Sequence, residues 1–179
     1  MRDFLKGTYS EGEAQEIYRR IKADGDFAAF CLRYMHDEDR QVVRKALWGL
    51  TKANKTEIKQ LQPLLCELIT LAMTTDDSSV RRMSLSIINR LKICKEDLRT
   101  DFLDFCLEHM AYIQEYPGIQ SLCMKLAYRM CSFFPELIGE LERTLEAMDI
   151  TYYSPAVRNV RSKILHRKNT HKDKRERDI

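Results

Sequence analysis

The chain has 179 residues, 32% of them charged, and a formal net charge of only +3, a balance that excludes a strongly basic or acidic protein. Its length fits one domain, and its few Gly and Pro beside many Leu, Lys, Arg and Glu residues are typical of an α-helical protein. No apolar run reaches the roughly 18 residues of a membrane-spanning helix, and the segment after Met1 lacks signal-peptide character, so we expect a cytoplasmic protein without a membrane partner.

The charges are distributed unevenly along the chain. Residues 161–179 contain eight Lys or Arg and three acids, whereas residues 1–160 contain 22 basic and 24 acidic side chains. This pattern predicts a slightly acidic body followed by a basic tail at 169–179. Basic residues at a helix C-terminus favour the helix dipole and keep a protein soluble. We therefore interpret the tail as solvated, with a targeting or RNA-binding arm as the alternative.

The first predicted element is a capping helix over residues 10–24. Ser10 and Glu13 have the spacing of a capping box at its start, and Asp24-Gly25 marks its end. We expect this helix to cover the open apolar face of the first repeat, because a stack of repeats must shield its ends. Its apolar stripe consists of Ala14, Ile17, Tyr18 and Ile21.

Four pairs of amphipathic helices follow the cap, because apolar residues recur at steps of three and four along each segment. Polar turns separate the two helices of a pair, and Pro117 and Pro155 suit a first helical turn. Pro63 interrupts the second repeat, so we expect its regular helix to begin at Gln62 or Pro63. The predicted repeats are residues 26–54, 56–93, 96–133 and 135–168.

Two series of residues recur along the chain with one shared period. The first series consists of Val43, Val80, Ile119 and Val157, whose numbers differ in turn by 37, 39 and 38. The second series consists of Met35, Met73, Met110 and Met148, whose numbers differ in turn by 38, 37 and 38. Two registers that share one period of this length indicate a helical-repeat protein.

With these helix–turn–helix units, the chain resembles HEAT repeats and, more loosely, armadillo-type repeats. Val-Arg occurs at 43–44, 80–81 and 157–158, although the third repeat has Gln120 in place of the arginine. The resemblance implies an all-α, right-handed α-α superhelix of about four helix pairs plus the N-terminal capping helix, nine helices in one domain over residues 1–168. An acid that we expect to cap the second helix precedes the Val or Ile by four residues in three repeats: Asp39, Asp76 and Glu115.

The second helices of such a stack line its concave side. Counting from the Val or Ile as zero, positions 0, +3, +4, +7 and +8 face the core, and positions +1, +5, +9 and +12 form the neighbouring stripe. Its Arg, Trp, Tyr and Met residues are types that favour interfaces, although a wide core face would equally account for Trp48, Leu85 and Met124. The candidate partner-binding residues are Arg44, Trp48, Lys52, Arg81, Leu85, Asn89, Gln120, Met124, Tyr128 and Arg158.

No motif for catalysis or for cofactor binding is present. The sequence lacks a Gly-rich phosphate loop, an HExxH motif and a nucleophile elbow, and its six cysteines lack the clustered spacing of a zinc site. We therefore predict no enzyme activity, no cofactor and no metal. Four cysteines fall on apolar helical positions and are expected to be reduced and buried: Cys31, Cys66, Cys106 and Cys123.

These patterns favour a non-enzymatic scaffold or adaptor that binds a protein or peptide on the concave surface. The alternative is nucleic-acid binding, since some bacterial DNA glycosylases that repair alkylated bases are built from HEAT-like repeats and bind DNA in a basic concave groove. The chain is similar to them in its basic stripe with Trp48, but it is shorter, has a single tryptophan and has no aspartate on the stripe. Phosphate contacts would make binding salt-dependent. The oligomeric state stays open.

Overall fold

The computed structural model describes residues 1–6 and 11–177, with the side chains of residues 1–6 and 12–166. Within these residues the chain forms ten α-helices and no strand, which confirms the predicted all-α fold with one helix more than the nine expected. The helices are α1 Arg2–Leu5, α2 Glu11–Asp24, α3 Phe27–Tyr34, α4 Arg40–Thr51, α5 Leu65–Thr74, α6 Ser78–Ile88, α7 Thr100–Ala111, α8 Pro117–Cys131, α9 Pro135–Ala147 and α10 Pro155–Arg177.

Short polar residues and prolines set the starts of the helices. Asp26 accepts a hydrogen bond of 2.8 Å from the backbone N–H of Ala29 at the start of α3. Asp39 likewise accepts one of 2.9 Å from the N–H of Gln41 at the start of α4. These carboxylates satisfy amides that have no partner inside the helix. The first residues of α8, α9 and α10 are prolines, whose missing N–H costs nothing there.

The capping helix α2 ends where the sequence indicates. Gly25 follows its last residue with a φ of +78°, a left-handed conformation that glycine adopts without steric cost. The Gly25 N–H donates to the carbonyl of Ile21 over 2.9 Å, so the last turn of α2 closes on this residue. Ser10 of the predicted capping box lies outside the described residues.

Contacts within the chain divide it into two compact units, Met1–Lys92 and Ile93–Ile179. In the first unit α2 packs on α4, α4 packs on α6, and α5 pairs with α6. The extra helix α1 also contacts α4 and is held by Leu5, which is fully buried. In the second unit α7 pairs with α8, and α10 packs against α8 and α9. The assignment of residues 1–168 to one domain stays a prediction.

The second repeat departs from the predicted helix boundary. A 3-10 helix spans Ile58–Leu64 and contains Pro63, and the α-helix begins only at Leu65. A proline has no N–H to donate into a helical ladder, so the regular α-helix starts after it. The expected start at Gln62 or Pro63 was therefore two to three residues early. Two further 3-10 segments are Lys95–Asp97 and Ile150–Tyr152.

The last helix continues into the basic end of the chain. The backbone of α10 is helical from Pro155 to Arg177, and Val157 and Ile164 are buried near its start. The side chains of residues 167–179 lie outside the described residues, so the solvated character of the tail stays a prediction. Among the described residues, no helix has both the length and the apolar character required to cross a bilayer.

Candidate functional site

The N-caps of the second helices give the register of the four repeats. The caps are Asp39, Asp77, Tyr116 and Ser154, whose numbers differ in turn by 38, 39 and 38. The third residue after each cap is at most 2% exposed, and these residues are Val42, Val80, Ile119 and Val157. Val42 and not Val43 is therefore the counterpart of Val80. The predicted register had matched Val43 with Val80, 37 residues later. This alignment placed the first repeat one residue out of register with the others.

This shift corrects the predicted binding stripe. One residue corresponds to a rotation of about 100° around a helix, so the stripe drawn through Arg44 in α4 passes through the core in α6 and α8. Leu85 and Met124 lie eight residues after their caps, as Leu47 does, and all three are fully buried. Their assignment to a binding surface was wrong, and they belong to the apolar core.

Gln120 and Arg81 occupy the fourth position after their caps and make the same kind of contact. Gln120 is 2% exposed, and its amide donates to the carbonyl of Tyr112 at the end of α7 over 2.7 Å. Arg81 is half-buried and donates to the carbonyl of Ala72 over 3.2 Å and to that of Thr75 over 2.6 Å. The last carbonyls of a helix have no partner inside it. These two side chains supply hydrogen-bond donors to carbonyls at the end of the first helix of their repeats. Gln120 is too deeply buried to contact a partner, so that prediction was wrong.

Arg44 is paired with an acid in the next helix pair. Its Nε lies 3.2 Å from Oδ2 of Asp77, and its Nη2 donates to the same oxygen. Asp77 also accepts from the N–H groups of Ser79 and Val80, at 2.8 and 3.1 Å. Burial acts to raise the pKa of Asp77, but Arg44 and the two amides outweigh it and hold the pKa below its usual value. Much of the positive charge of Arg44 is therefore compensated within the protein.

Two of the three acids that the sequence assigned to helix starts act differently. Asp76 leaves 85% of its side chain exposed, and the neighbouring Asp77 is the cap. Glu115 lies 2.5 Å from Nδ1 of His109 and accepts a hydrogen bond from the N–H of Tyr116. Only Asp39 caps a helix as predicted.

A groove between α4 and α6 surrounds the half-buried indole of Trp48. The groove encloses about 210 Å³ and is lined by Arg44, Lys45, Trp48, Ser79, Arg82 and Met83. Met83 and the whole side chain of Lys45 are buried, and the ammonium of Lys45 lies 3.2 Å from Glu13. Arg82 is exposed and makes no ion pair among the side chains that the structure describes.

The register correction also identifies lining residues that sequence reasoning missed. Arg82 lies five residues after its cap, as Arg44 does, so the spacing of the caps applied to Arg44 would have located it. Trp48 lies nine residues after its cap and its counterpart is Ser86, so the groove has one aromatic anchor. Ser79 and Met83 gave no distinct signal, because their helix positions are compatible with either a core or a surface role.

The other predicted residues lie elsewhere on the two units. Lys52, one turn after Trp48, is exposed, and Asn89 is half-buried in the turn that ends α6. Tyr128 is half-buried on α8 and Arg158 is exposed in the first turn of α10. Lys52 and Asn89 belong to the first unit, Tyr128 and Arg158 to the second. Their roles in binding stay predictions.

The cysteines are free, but not all of them are buried. Cys31, Cys106, Cys123 and Cys131 are buried, whereas Cys66 is exposed and Cys94 is partly exposed. The prediction for Cys66 was wrong because the buried face of α5 runs through Leu65 and Ile69, one helix position away. Burial raises the pKa of the Cys31 thiol to about 12 and that of Cys131 to about 11. No group of three potential ligands for a metal ion occurs among the described residues.

The order of the helices and the recurring caps define a protein of helix–turn–helix repeats. The sequence model of the HEAT repeat domain matches residues 1–168, which is most of the chain. The chain therefore belongs to the HEAT repeat family. No curated protein and no solved structure matches it. These comparisons do not show a similarity to the alkylation-repair DNA glycosylases.

Proposed function

We propose that this chain is a non-enzymatic adaptor that holds a segment of another protein in the groove between α4 and α6. The observation that carries the proposal is the half-buried Trp48 within a groove lined by Arg44 and Arg82. Tryptophan and arginine are the side chains that most often dominate the energy of protein interfaces. A tryptophan that the fold leaves only half covered can bury further apolar area when a partner binds.

The size of the groove favours a side chain over a small-molecule substrate. Its volume of about 210 Å³ is below the range of about 300–1,000 Å³ that is usual for small-molecule sites. Its lining comes from α4 and α6, so a peptide that crosses these two helices can place one apolar side chain on Trp48. This occupant needs no chemistry from the protein, in agreement with the absence of a catalytic motif in the sequence.

The charges of the groove indicate which peptide fits. Asp77 compensates Arg44, and Glu13 compensates Lys45, whereas Arg82 retains its charge at the rim. A carboxylate next to the apolar anchor of the peptide would meet Arg82. The proposed ligand is therefore a segment with a bulky apolar residue and a nearby acid, and not an extended polyanion.

Nucleic-acid binding is the less favoured function for the same reason. A duplex is held by several cations that each neutralise a phosphate. Of the three arginines on the predicted stripe, Arg44 is paired with Asp77 and Arg81 is bonded to two carbonyls, whereas Arg158 lies exposed in the second unit. The experiment that tests the proposal therefore includes DNA binding as one of its possible outcomes.

The test compares the wild-type chain with the double variant Trp48→Ala, Arg82→Glu. A triple change of Arg44, Arg81 and Trp48 would be harder to interpret, because both arginines hold structural contacts. Pull-down from a lysate identifies a stoichiometric protein, and titration of its binding segment gives the affinity. We expect the double variant to bind this segment at least tenfold more weakly, about 1.4 kcal/mol, and a cooperative thermal transition should show that it remains folded.

The matched control is Lys59→Glu, which reverses one exposed charge on the 3-10 helix without touching the groove. It should bind like the wild type. Equal binding by the folded double variant would contradict the proposal. The alternative function is tested by a gel-shift assay with duplex and abasic DNA at two salt concentrations. Tight and salt-sensitive binding would support the nucleic-acid function instead.

A further inference from the structure

Two turns of the second unit lie side by side. One connects α7 to α8 and the other connects α9 to α10. The hydroxyl of Tyr153, in the second turn, donates to the carbonyl of Ala111, at the end of α7, over 2.7 Å. Because this hydrogen bond spans only one tyrosine side chain, the two turns are neighbours, and we consider their exposed residues together as one surface.

This surface exposes an unusual number of large apolar side chains. We call this surface the tyrosine turns. Its five large apolar residues are 43–65% exposed, and they are Tyr112, Ile113, Tyr116, Ile150 and Tyr152. They are five of the eight large hydrophobic residues that are exposed within the described part of the chain. The corresponding turns of the first unit, 36–39 and 74–77, contain only polar residues. Exposed apolar groups that cluster in this way mark interaction sites.

Acidic residues outnumber exposed basic residues around the tyrosine turns. Residues 105–124, which end α7 and begin α8, contain Glu108 and Glu115 and no Lys or Arg, and residues 144–157 contain Glu146 and Asp149 and again no Lys or Arg. Arg161 approaches from α10, but it donates to the carbonyls of Leu145 and Glu146. Arg158 is the first exposed cation beyond the turn. The surface therefore combines aromatic faces with an excess of carboxylates.

The first of the two turns is held in place by side-chain contacts. Glu115 lies 2.5 Å from Nδ1 of His109, whose ring packs on Phe105 with the centroids 4.1 Å apart. The Tyr112 hydroxyl donates to Gln114 over 2.7 Å. A surface that is already ordered loses little conformational freedom when a partner binds.

We propose that the tyrosine turns bind a basic segment of another protein, with arginine or lysine side chains stacked on the tyrosine rings. Cations are attracted to the faces of aromatic rings, and the surrounding carboxylates attract them over a longer range. A second copy of the same surface fits less well, since it would bring carboxylates against carboxylates. This surface lies in the second unit, so the inference does not depend on the groove of the first.

The test selects displayed random dodecapeptides on the wild-type chain, with counter-selection on the double variant Tyr112→Ser, Tyr152→Ser. Both tyrosines are more than half exposed, so the variant should keep its fold, and its circular dichroism and melting temperature check this. We expect the selected peptides to be enriched in arginine and lysine. Fluorescence anisotropy of individual peptides should show at least tenfold weaker binding to the double variant.

The matched control is Leu32→Ser, which removes an apolar side chain that is 55% exposed in the first unit. It should bind the selected peptides with wild-type affinity. Selection of acidic or uncharged peptides, or equal affinity for the double variant, would overturn the proposal. So would a dimer of the wild type in light scattering that the double variant abolishes, since this assigns the surface to self-association.

Discussion

Arg44 of α4 donates to the same carboxylate of Asp77 that caps the start of α6. Asp77 thereby holds two amides of its own helix and one guanidinium of the preceding repeat, which lies 33 residues earlier in the chain. The pair links neighbouring helix layers, and it also removes Arg44 from the set of cations available to a ligand. A single contact thus contributes to the stacking of the repeats and to the electrostatics of the groove.

Replacement of Asp77 by alanine should destabilise the first unit. Loss of an N-cap side chain costs about 0.5–2 kcal/mol, and the loss of a partner for Arg44 adds to it. We expect a decrease of about 1–2 kcal/mol in the free energy of unfolding, measured by urea denaturation. Asp76→Ala is the control, because its side chain is 85% exposed, and it should change stability by less than about 0.5 kcal/mol. Equal effects of the two substitutions would contradict the assigned cap.

Acid should destabilise the protein as the pH falls from about 4 towards 2. The hydrogen bonds from Arg2 and from the N–H of Asp39 lower the pKa of Asp37 to about 2, and the pKa of Asp77 is also lowered. A carboxylate with a folded-state pKa below its unfolded value of about 3.9 stabilises the fold above that pH and loses this contribution on protonation.

Urea denaturation at pH 5, 4, 3 and 2 measures this dependence. Asp37→Asn removes the titrating group, so the variant should lose less stability between pH 5 and 2 than the wild type. A wild-type stability that is constant over this range would show that the two carboxylates do not stabilise the fold in their ionised form.

Gly49 allows α2 to pack closely on α4. A Cβ at this position would lie 2.3 Å from Cγ2 and 3.0 Å from Cβ of Ile17, which is fully buried. We expect Gly49→Ala to destabilise the protein by about 1–3 kcal/mol, as overpacking of a core does, despite the better helix propensity of alanine.

Gly139→Ala is the matched control for this substitution. A Cβ there meets no atom within 4 Å, so the change should stabilise α9 by up to about 1 kcal/mol. Thermal unfolding measures both effects, and their opposite signs are the expected outcome. A Gly49→Ala variant as stable as the wild type would contradict the close contact with Ile17.

The thiols should react with dithionitrobenzoate in distinct phases. Cys66 is exposed and should react first, followed by Cys94, which is partly exposed. The four buried cysteines should react only after unfolding, since burial excludes the reagent and raises the pKa of the Cys31 and Cys131 thiols. Cys66→Ser should remove the fast phase and leave the others unchanged. A fast phase that persists in this variant would place the exposed thiol elsewhere.

Much of the fold could be read from local patterns in the sequence. Buried residues such as Val80, Ile119 and Val157 recur with the predicted period, because each helix must hide one apolar face. The helix α1 could not be predicted, since four residues are too few to show a helical period. For the candidate site, Trp48 was on the predicted stripe, whereas Arg82 was left off the stripe because the register was one residue out.

The sequence by itself determined the helical class, the repeat period and the apolar face of most helices, because these depend on spacing along a single segment. Tertiary structure decided that Leu85 and Met124 are core residues and that Asp77, not Asp76, caps α6. It also decided that Arg44 is paired with Asp77 while Arg82 keeps an exposed charge. The reason is geometric. Successive side chains of a helix point about 100° apart, so an error of one residue moves a side chain from the surface to the core. Partners from different repeats meet only when the repeats pack.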